Sequence, residues 1–248
     1  MLENELREFF TFLKMNLGEL REHEVMLLML TVRSRRVKEM LGVKVPDTVL
    51  KREVLRQPEL DYSVFLRKVK RLALLARHAN ECFSVKGVPV PPEATGVMVV
   101  VNPRHAVRAV KSLMGEAWER MYELAQGQDK SAPLGVLKKM DVRFHANLHR
   151  HASRKVFVTF DIDAKDEDVL NSVVKRVEWL PRLVLDTPRG YHVIVATRGR
   201  EERAKLWKEA ILVARELWGE AVEVKVDPME PVPGLPYGGH LVRVITQS

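Results

Sequence analysis

Cysteine occurs once in the 248 residues, at Cys82. A single thiol excludes an intramolecular disulfide and any zinc site built from clustered cysteines. No apolar run approaches the length of a membrane span. The opening residues Met1-Leu2-Glu3-Asn4-Glu5 lack the basic start and apolar stretch of a secretory signal. No GxxxxGK[ST] phosphate loop is present. Asparagine and glutamine are sparse while charged residues reach 30%, a balance that fits a thermophilic source. These absences predict a cytoplasmic protein with no membrane partner.

What the chain does have is an apolar content of 46% and a net charge of +8. The first fits a globular protein with ample core. The second suits a polyanionic partner, because neutralised phosphates supply most nonspecific affinity for nucleic acid.

The most informative segment is Val156-Phe157-Val158-Thr159-Phe160-Asp161-Ile162-Asp163. Its apolar, β-branched and aromatic residues predict a buried strand. Residues i and i+2 of a strand share a face, so Asp161 and Asp163 project together. Paired carboxylates repel unless a cation lies between them, and hard divalent ions such as Mg²⁺ favour such oxygen donors. A second segment, Leu183 to Val195, predicts strand, turn, strand, with Pro188 and Gly190 supplying the turn. His192 opens the second of these strands, where it can donate to a phosphate oxygen. Arg189 offers a forked donor to the same kind of anion. A third segment, Val222-Glu223-Val224-Lys225-Val226-Asp227, alternates like a strand and again ends on an aspartate.

Around these motifs the pattern is mixed. Residues 1–86 predict a helical, basic N-terminal module. Leu6, Phe9, Phe10, Leu13 and Leu17 form one helical stripe. Val25 to Leu30 predicts a buried helix from its Leu and Met content, and Asp47 caps a further helix over Val49 to Leu55. A longer helix from Tyr62 to about Asn80 carries Arg67, Lys68, Lys70, Arg71 and Arg77. Residues 1–90 hold 17 Lys and Arg against 12 Asp and Glu, which offers a grip on template DNA or simply a solvated face. Gly87 to Gly96 predicts a stiff linker. Val97 to Val101 predicts a strand, Asn102-Pro103-Arg104 a turn, and His105 to Gln126 a helix with Val107, Val110, Leu113, Met114, Ala117, Trp118 and Met121 on its apolar side. A polar break covers 127–133. The basic stretch Lys138 to Lys155 would line a channel for phosphates. Helices over Asp166 to Leu180 and Glu201 to Trp218, the latter with Trp207 turned inward, alternate with the strands. The expected class is α+β.

The ordered set, strand-Asp161-x-Asp163, then Gly190-Tyr191-His192, then Val226-Asp227, resembles the catalytic pattern of the archaeo-eukaryotic primase superfamily. That group includes primase small subunits, plasmid primase-polymerases and end-joining polymerases. Val232-Pro233-Gly234-Leu235-Pro236-Tyr237-Gly238-Gly239 is similar to the Pro-Gly loop of many members, and Val97 to Arg104 to the first strand and Asn-Pro turn of plasmid-type ones. The resemblance covers about residues 95–248, so the expected division is 1–86 and 95–248. It implies a catalytic domain on a sheet related to the RNA-recognition motif, and a DNA primase or polymerase acting through two Mg²⁺ or Mn²⁺ ions. Asp161, Asp163 and Asp227 would be catalytic and hold the metals. His192, Arg189, Thr187, Asn102, Arg104 and Arg243 would contact the nucleotide. The implied partners are single-stranded or primed DNA template, nucleoside triphosphates, and a helicase or other replication protein, in an archaeal, thermophilic source. The sequence departs from the pattern at Pro231 and Leu235, where members carry a basic residue and Ser or Thr, and it has no zinc element.

Two other readings come from different classes. A DNA-binding or replication-assembly protein without catalysis would bind DNA in a salt-sensitive way. A nicking enzyme would use His149 and His151 with Tyr191 as nucleophile, but these histidines lie in a polar, basic stretch rather than on an apolar strand.

Overall fold

The computed structural model describes residues 2–56, 61–126, 140–208 and 219–245. In chain order the elements are α1 (Leu2–Leu17), β1 (Glu24–Val32), α2 (Ser34–Leu41), β2 (Thr48–Arg56), α3 (Tyr62–Arg77), α4 (Ala79–Cys82), β3 (Ser84–Val85), β4 (Val88–Pro89), β5 (Thr95–His105), α5 (Ala106–Ala125), α6 (Met140–Arg150) and β6 (Phe157–Ile162). There follow α7 (Glu167–Arg176), β7 (Arg182–Asp186), β8 (Tyr191–Ala196), α8 (Arg200–Leu206), β9 (Val222–Lys225), β10 (Met229–Pro231), β11 (Pro236–Tyr237), β12 (His240–Leu241) and β13 (Arg243–Ile245). The class is α+β, with antiparallel sheets.

One sheet has the order β12-β11-β5-β1-β2, with β10 also paired to β5. The second has the order β13-β7-β8-β6-β9. Within it the chain runs β6-α7-β7-β8-α8-β9, and the spatial order β9-β6-β8-β7 is the split β-α-β arrangement. The α7 helix starts where Asp166 accepts from the backbone N–H of Asp168 and Val169, and α3 starts where Asp61 accepts from Ser63 N–H.

Strand alternation divides the second sheet's two faces. Val158, Phe160 and Ile162 of β6 and Val193 and Val195 of β8 pack with Leu170 and Val173 of α7 and with Val177 just past its end. The opposite face presents Phe157, Leu185, Ile194 and Ala196 to a core shared with α1, α3, β1 and β5. Thr159, Asp161 and His192 fall on that second face by parity, so the polar groups look toward the other sheet.

Several expectations for residues 1–86 are corrected. Val25 to Leu30 lies in strand β1, not in a helix, and all nine residues of β1 are buried. Met26, Leu28 and Leu30 enter one core cluster, Leu27 and Met29 another; burial on both faces overrides the helical preference of Leu and Met. Val49 to Leu55 lies in β2, and Asp47 accepts from Ser34 N–H at the start of α2 instead. Because β1 pairs with β5 along its length, residues 1–86 are not an all-helical module set apart from 95–248. Gly87 to Gly96 is no linker: β3 and β4 form a hairpin, Val90 and Ala94 are buried, and β5 begins at Thr95. The α1 stripe is buried as expected. On α3, Lys70 pairs with Glu3 and Arg71 with Glu53.

Further along, Asn102-Pro103-Arg104 is not a turn but part of β5. The register against β1 slips there, from Leu27 opposite Val100 to Val25 opposite Arg104, because Pro103 has no N–H to give the ladder and a bulge absorbs it. The α5 stripe is helical as expected, but Trp118 is 72% exposed and Val107, Val110, Met114 and Met121 are exposed with it. Of the helix expected over Glu201 to Trp218, the first part lies in α8, Trp207 is exposed rather than inward, and 209–218 lie outside the described residues. The polar break at 127–133, Lys138 and Lys139 also lie outside them.

Candidate active site at the seam of two sheets

The three motifs meet in one cleft of about 470 Å³. Asp161, Asp163, Thr187, Arg189, His192, Lys225 and Asp227 line it from the second sheet and its loops. Arg33, Arg35 and Arg36, at the start of α2, line it from the other side.

Asp161 stands directly across from His192 in the β6–β8 register. Its Oδ1 lies 3.1 Å from His192 Nε2, and its Oδ2 takes the Lys225 ammonium. Gly190 sets this pairing: a Cβ there would lie 1.7 Å from the Ile162 carbonyl oxygen. The turn before β8 can thus close on the Asp161-Ile162-Asp163 segment only without a side chain. Thr187 fastens the same turn, its hydroxyl and N–H both donating to the Gly190 carbonyl. Just past β6, Asp163 receives the Arg189 guanidinium at 2.8 Å.

His192 is held from behind. Its Nδ1 lies 2.6 Å from Glu230 Oε2, and the Thr159 hydroxyl donates to Glu230 Oε1 at 2.7 Å. Glu230 is fully buried and comes from β10, in the other sheet. Burial opposes a charge on His192, but Glu230 and Asp161 outweigh it and raise the imidazolium pKa to about 9. Burial likewise favours a neutral Asp161, yet His192 and Lys225 hold its carboxyl far below the usual carboxylate range. The pair is therefore an imidazolium beside a carboxylate at neutral pH.

Asp227 follows β9 and is gripped by Arg104, whose Nη1 and Nη2 donate to its two oxygens at 2.6 and 2.8 Å. Arg104 is fully buried and also donates to the His149 carbonyl. Asn102 is equally buried. Its Oδ1 accepts from Val156 and Phe157 N–H, and its Nδ2 donates to the Phe157 carbonyl. Neither side chain is among those lining the cleft; both join the sheets, Arg104 by fixing Asp227 and Asn102 by fixing the start of β6. Arg243 sits on β13 opposite Asp186 and is not among the cleft-lining residues. The basic stretch before β6 is also redirected. Arg154 forks onto Glu24, Arg143 and Arg150 face Glu116, and His149 alone of the described stretch lines the cleft. Tyr191 is buried on the far face with α7, which removes it from any arrangement with His149 and His151.

The sequence did not single out Glu230, Lys225, Arg33, Arg35 or Arg36. Glu230 left one signal: an acid enclosed by Met229 and Pro231 in an otherwise apolar run, where a carboxylate needs a buried partner.

Among the described residues no three His, Cys, Asp or Glu side chains are gathered as they stand into a metal-holding group. Four carboxylates, Asp161, Asp163, Asp227 and Glu230, are matched by four cations, Lys225, Arg189, Arg104 and His192. Two of those cations reach solvent, Arg189 at 53% and Lys225, partly exposed, at 33%. Asp161 and Asp163 can exchange them for a divalent ion without rebuilding the core, and each carboxylate oxygen keeps a second lone pair. The donor set therefore suits a hard cation. Comparison with protein-family models, curated proteins and solved structures finds no match.

Proposed function

We propose that the chain is a template-directed nucleotidyltransferase of the archaeo-eukaryotic primase type, a DNA primase or polymerase that works with Mg²⁺ or Mn²⁺. The observation that carries this reading is the convergence of Asp161, Asp163, His192 and Asp227 from three distant motifs on one cleft. The β9-β6-β8-β7 order supports it, since that is the connectivity expected of a sheet related to the RNA-recognition motif.

In this reading Asp161 and Asp163 hold the metal, with Asp227 beside them. Such ions supply the charge that makes a primer hydroxyl nucleophilic and neutralises the departing pyrophosphate. His192, already an imidazolium, donates from Nε2 to a triphosphate oxygen once Asp161 turns to the metal. Glu230 fixes the ring so that this donor points into the cleft, which spares reorganisation as charge builds in the transition state. Arg189 and Lys225, displaced from the carboxylates, remain at the cleft wall to meet phosphate. Arg33, Arg35 and Arg36, the last two bonded to Glu39 on the same wall, leave that wall with a net positive charge that suits a nucleic-acid backbone.

The test incubates the protein with single-stranded template, labelled nucleotides and Mg²⁺ or Mn²⁺, with and without an annealed primer, beside Asp161→Ala. Products without primer establish a primase, and products only with primer a polymerase. Activity retained by Asp161→Ala overturns the metal assignment. The second reading, a DNA-binding or assembly protein, is favoured by the cation already on each carboxylate. It expects salt-sensitive DNA binding and no Asp161-dependent product in either lane.

A further inference from the structure

Lys225 ends β9 on the face that carries Asp161. In the β6–β9 register Asp161 stands opposite Glu223 and Thr159 opposite Lys225. Two carboxylates facing each other across neighbouring strands repel. The Lys225 ammonium answers both, in contact with Asp161 Oδ2 and 3.5 Å from Glu223 Oε2. The other oxygen of Asp161 is on His192, which Glu230 holds from a fully buried position. That ring cannot move away. Arg104 cannot leave Asp227 either, being buried and doubly bonded. Lys225 differs on every count. It is a point charge on a four-carbon stem, partly exposed, with one close contact and one longer one.

We propose that Lys225 is a resident counter-ion: it occupies the cation position on Asp161, must be displaced before a divalent ion can bind there, and so sets the metal affinity of the cleft. This rests on the metal reading above. It explains how a cluster of carboxylates stays folded and paired without an ion, and why the same cluster is not a ready-made metal site. The displaced ammonium stays at the cleft wall, where a phosphate oxygen can replace the lost carboxylate. Metal entry and phosphate entry are thereby coupled through one side chain.

The experiment measures Mn²⁺ binding to the full chain by electron paramagnetic resonance, with no nucleotide or nucleic acid present. It compares the wild type with Lys225→Gln, Lys225→Arg and Asp161→Asn. Lys225→Gln is expected to bind Mn²⁺ roughly tenfold more tightly, the order of effect that an adjacent opposite charge has on a carboxylate's hold on a cation. Lys225→Arg, which keeps the competitor, should stay near wild type, and Asp161→Asn should lose the site. Lys225→Met keeps the aliphatic stem on β9 and must behave like Gln if charge is the cause. Unchanged or weaker binding in both Gln and Met variants, with wild-type binding that Asp161→Asn abolishes, overturns the role of Lys225 and leaves the metal reading standing. No Mn²⁺ binding by either wild type or Lys225→Gln overturns both.

Discussion

Arg104 and Asp227 are 123 positions apart in the chain and meet through two bonds, at 2.6 and 2.8 Å. One comes from the sheet that holds β5, the other from the loop after β9, so the pair ties the two sheets together at the cleft. A buried guanidinium this well paired is costly to lose on one side only, because the partner is left uncompensated. Asp227 is 32% exposed, which lets water soften that cost. Arg104→Met should therefore destabilise the fold by about 3 kcal/mol, toward the low end for breaking a buried pair. Arg104→Lys should recover only part of it, since an ammonium cannot make the forked contact. Urea unfolding midpoints of the three proteins check this; equal midpoints for wild type and Arg104→Met would show that the pair is not a clasp.

Asn102 does a related job with neutral groups. Its amide behaves like one residue of a neighbouring strand, accepting from Val156 and Phe157 N–H at 2.8 and 2.9 Å and donating to the Phe157 carbonyl at 3.0 Å. Truncation leaves buried backbone groups without partners, each costing about 1–3 kcal/mol. Asn102→Ala should lose about 3 kcal/mol by the same criterion. Hydrogen exchange should quicken first at the Val156 and Phe157 amides, before the rest of β6. Exchange that rises evenly over the whole chain would count against a local anchor.

Most of the second sheet was legible in the sequence, while of the first only the Val97 to Val101 part of β5 was, and the difference is physical. Strands β6, β8 and β9 each carry or adjoin a polar residue that marks a face, and Pro188 with Gly190 marks the turn between β7 and β8. Strand β1 is buried on both faces, so its run of Val, Met and Leu shows no alternation, and such a run is a strand or a helix only by its neighbours. Pro103 suggested a turn where the chain in fact passes through a bulge within β5. That misplacement gave Asn102 and Arg104 to the nucleotide in the expectation, whereas the structure buries both between the sheets. Glu230 was invisible for another reason. Its partners, His192 and Thr159, are 38 and 71 residues away, and only the packing of one sheet on the other brings them together.

Gly190 makes a close approach that no other residue can. The nearest atoms to a Cβ at this position would be the Ile162 carbonyl oxygen at 1.7 Å, the Ile162 carbonyl carbon at 2.8 Å and Ala164 N at 2.9 Å. All are backbone of the segment that carries Asp161 and Asp163, so a methyl group cannot be absorbed by a side-chain rotation. Gly190→Ala should cost about 3 kcal/mol, the upper range for overpacking. It should also shift both carboxylates relative to His192. The expected signature is a lowered unfolding midpoint together with loss of Mn²⁺ binding in the fraction that remains folded. A variant with wild-type stability and wild-type Mn²⁺ binding would refute the tight packing.

His192 gives the fold a pH dependence whose direction is fixed by its surroundings. Burial disfavours its charge, while Glu230 and Asp161 favour it more, and the result is a pKa raised from about 6.5 to about 9. A group that holds its proton more tightly in the folded state stabilises that state where the proton is bound, and the effect fades once the folded chain releases it as well. Its contribution is fully present below about pH 6.5 and is lost as pH rises through about 9. Asp161 works in the opposite sense, its lowered pKa contributing at all pH values above the usual carboxylate range, so it adds no slope between pH 6 and 10. The unfolding free energy of the wild type should therefore fall from pH 6.5 to 9.5. His192→Gln should be less stable at pH 6.5 and should lose most of that slope. Glu230→Gln, which keeps a hydrogen-bond acceptor for Nδ1 but removes the charge that most raises the pKa, should move the descending limb to lower pH. A limb unmoved in Glu230→Gln would assign the titration to a group other than His192.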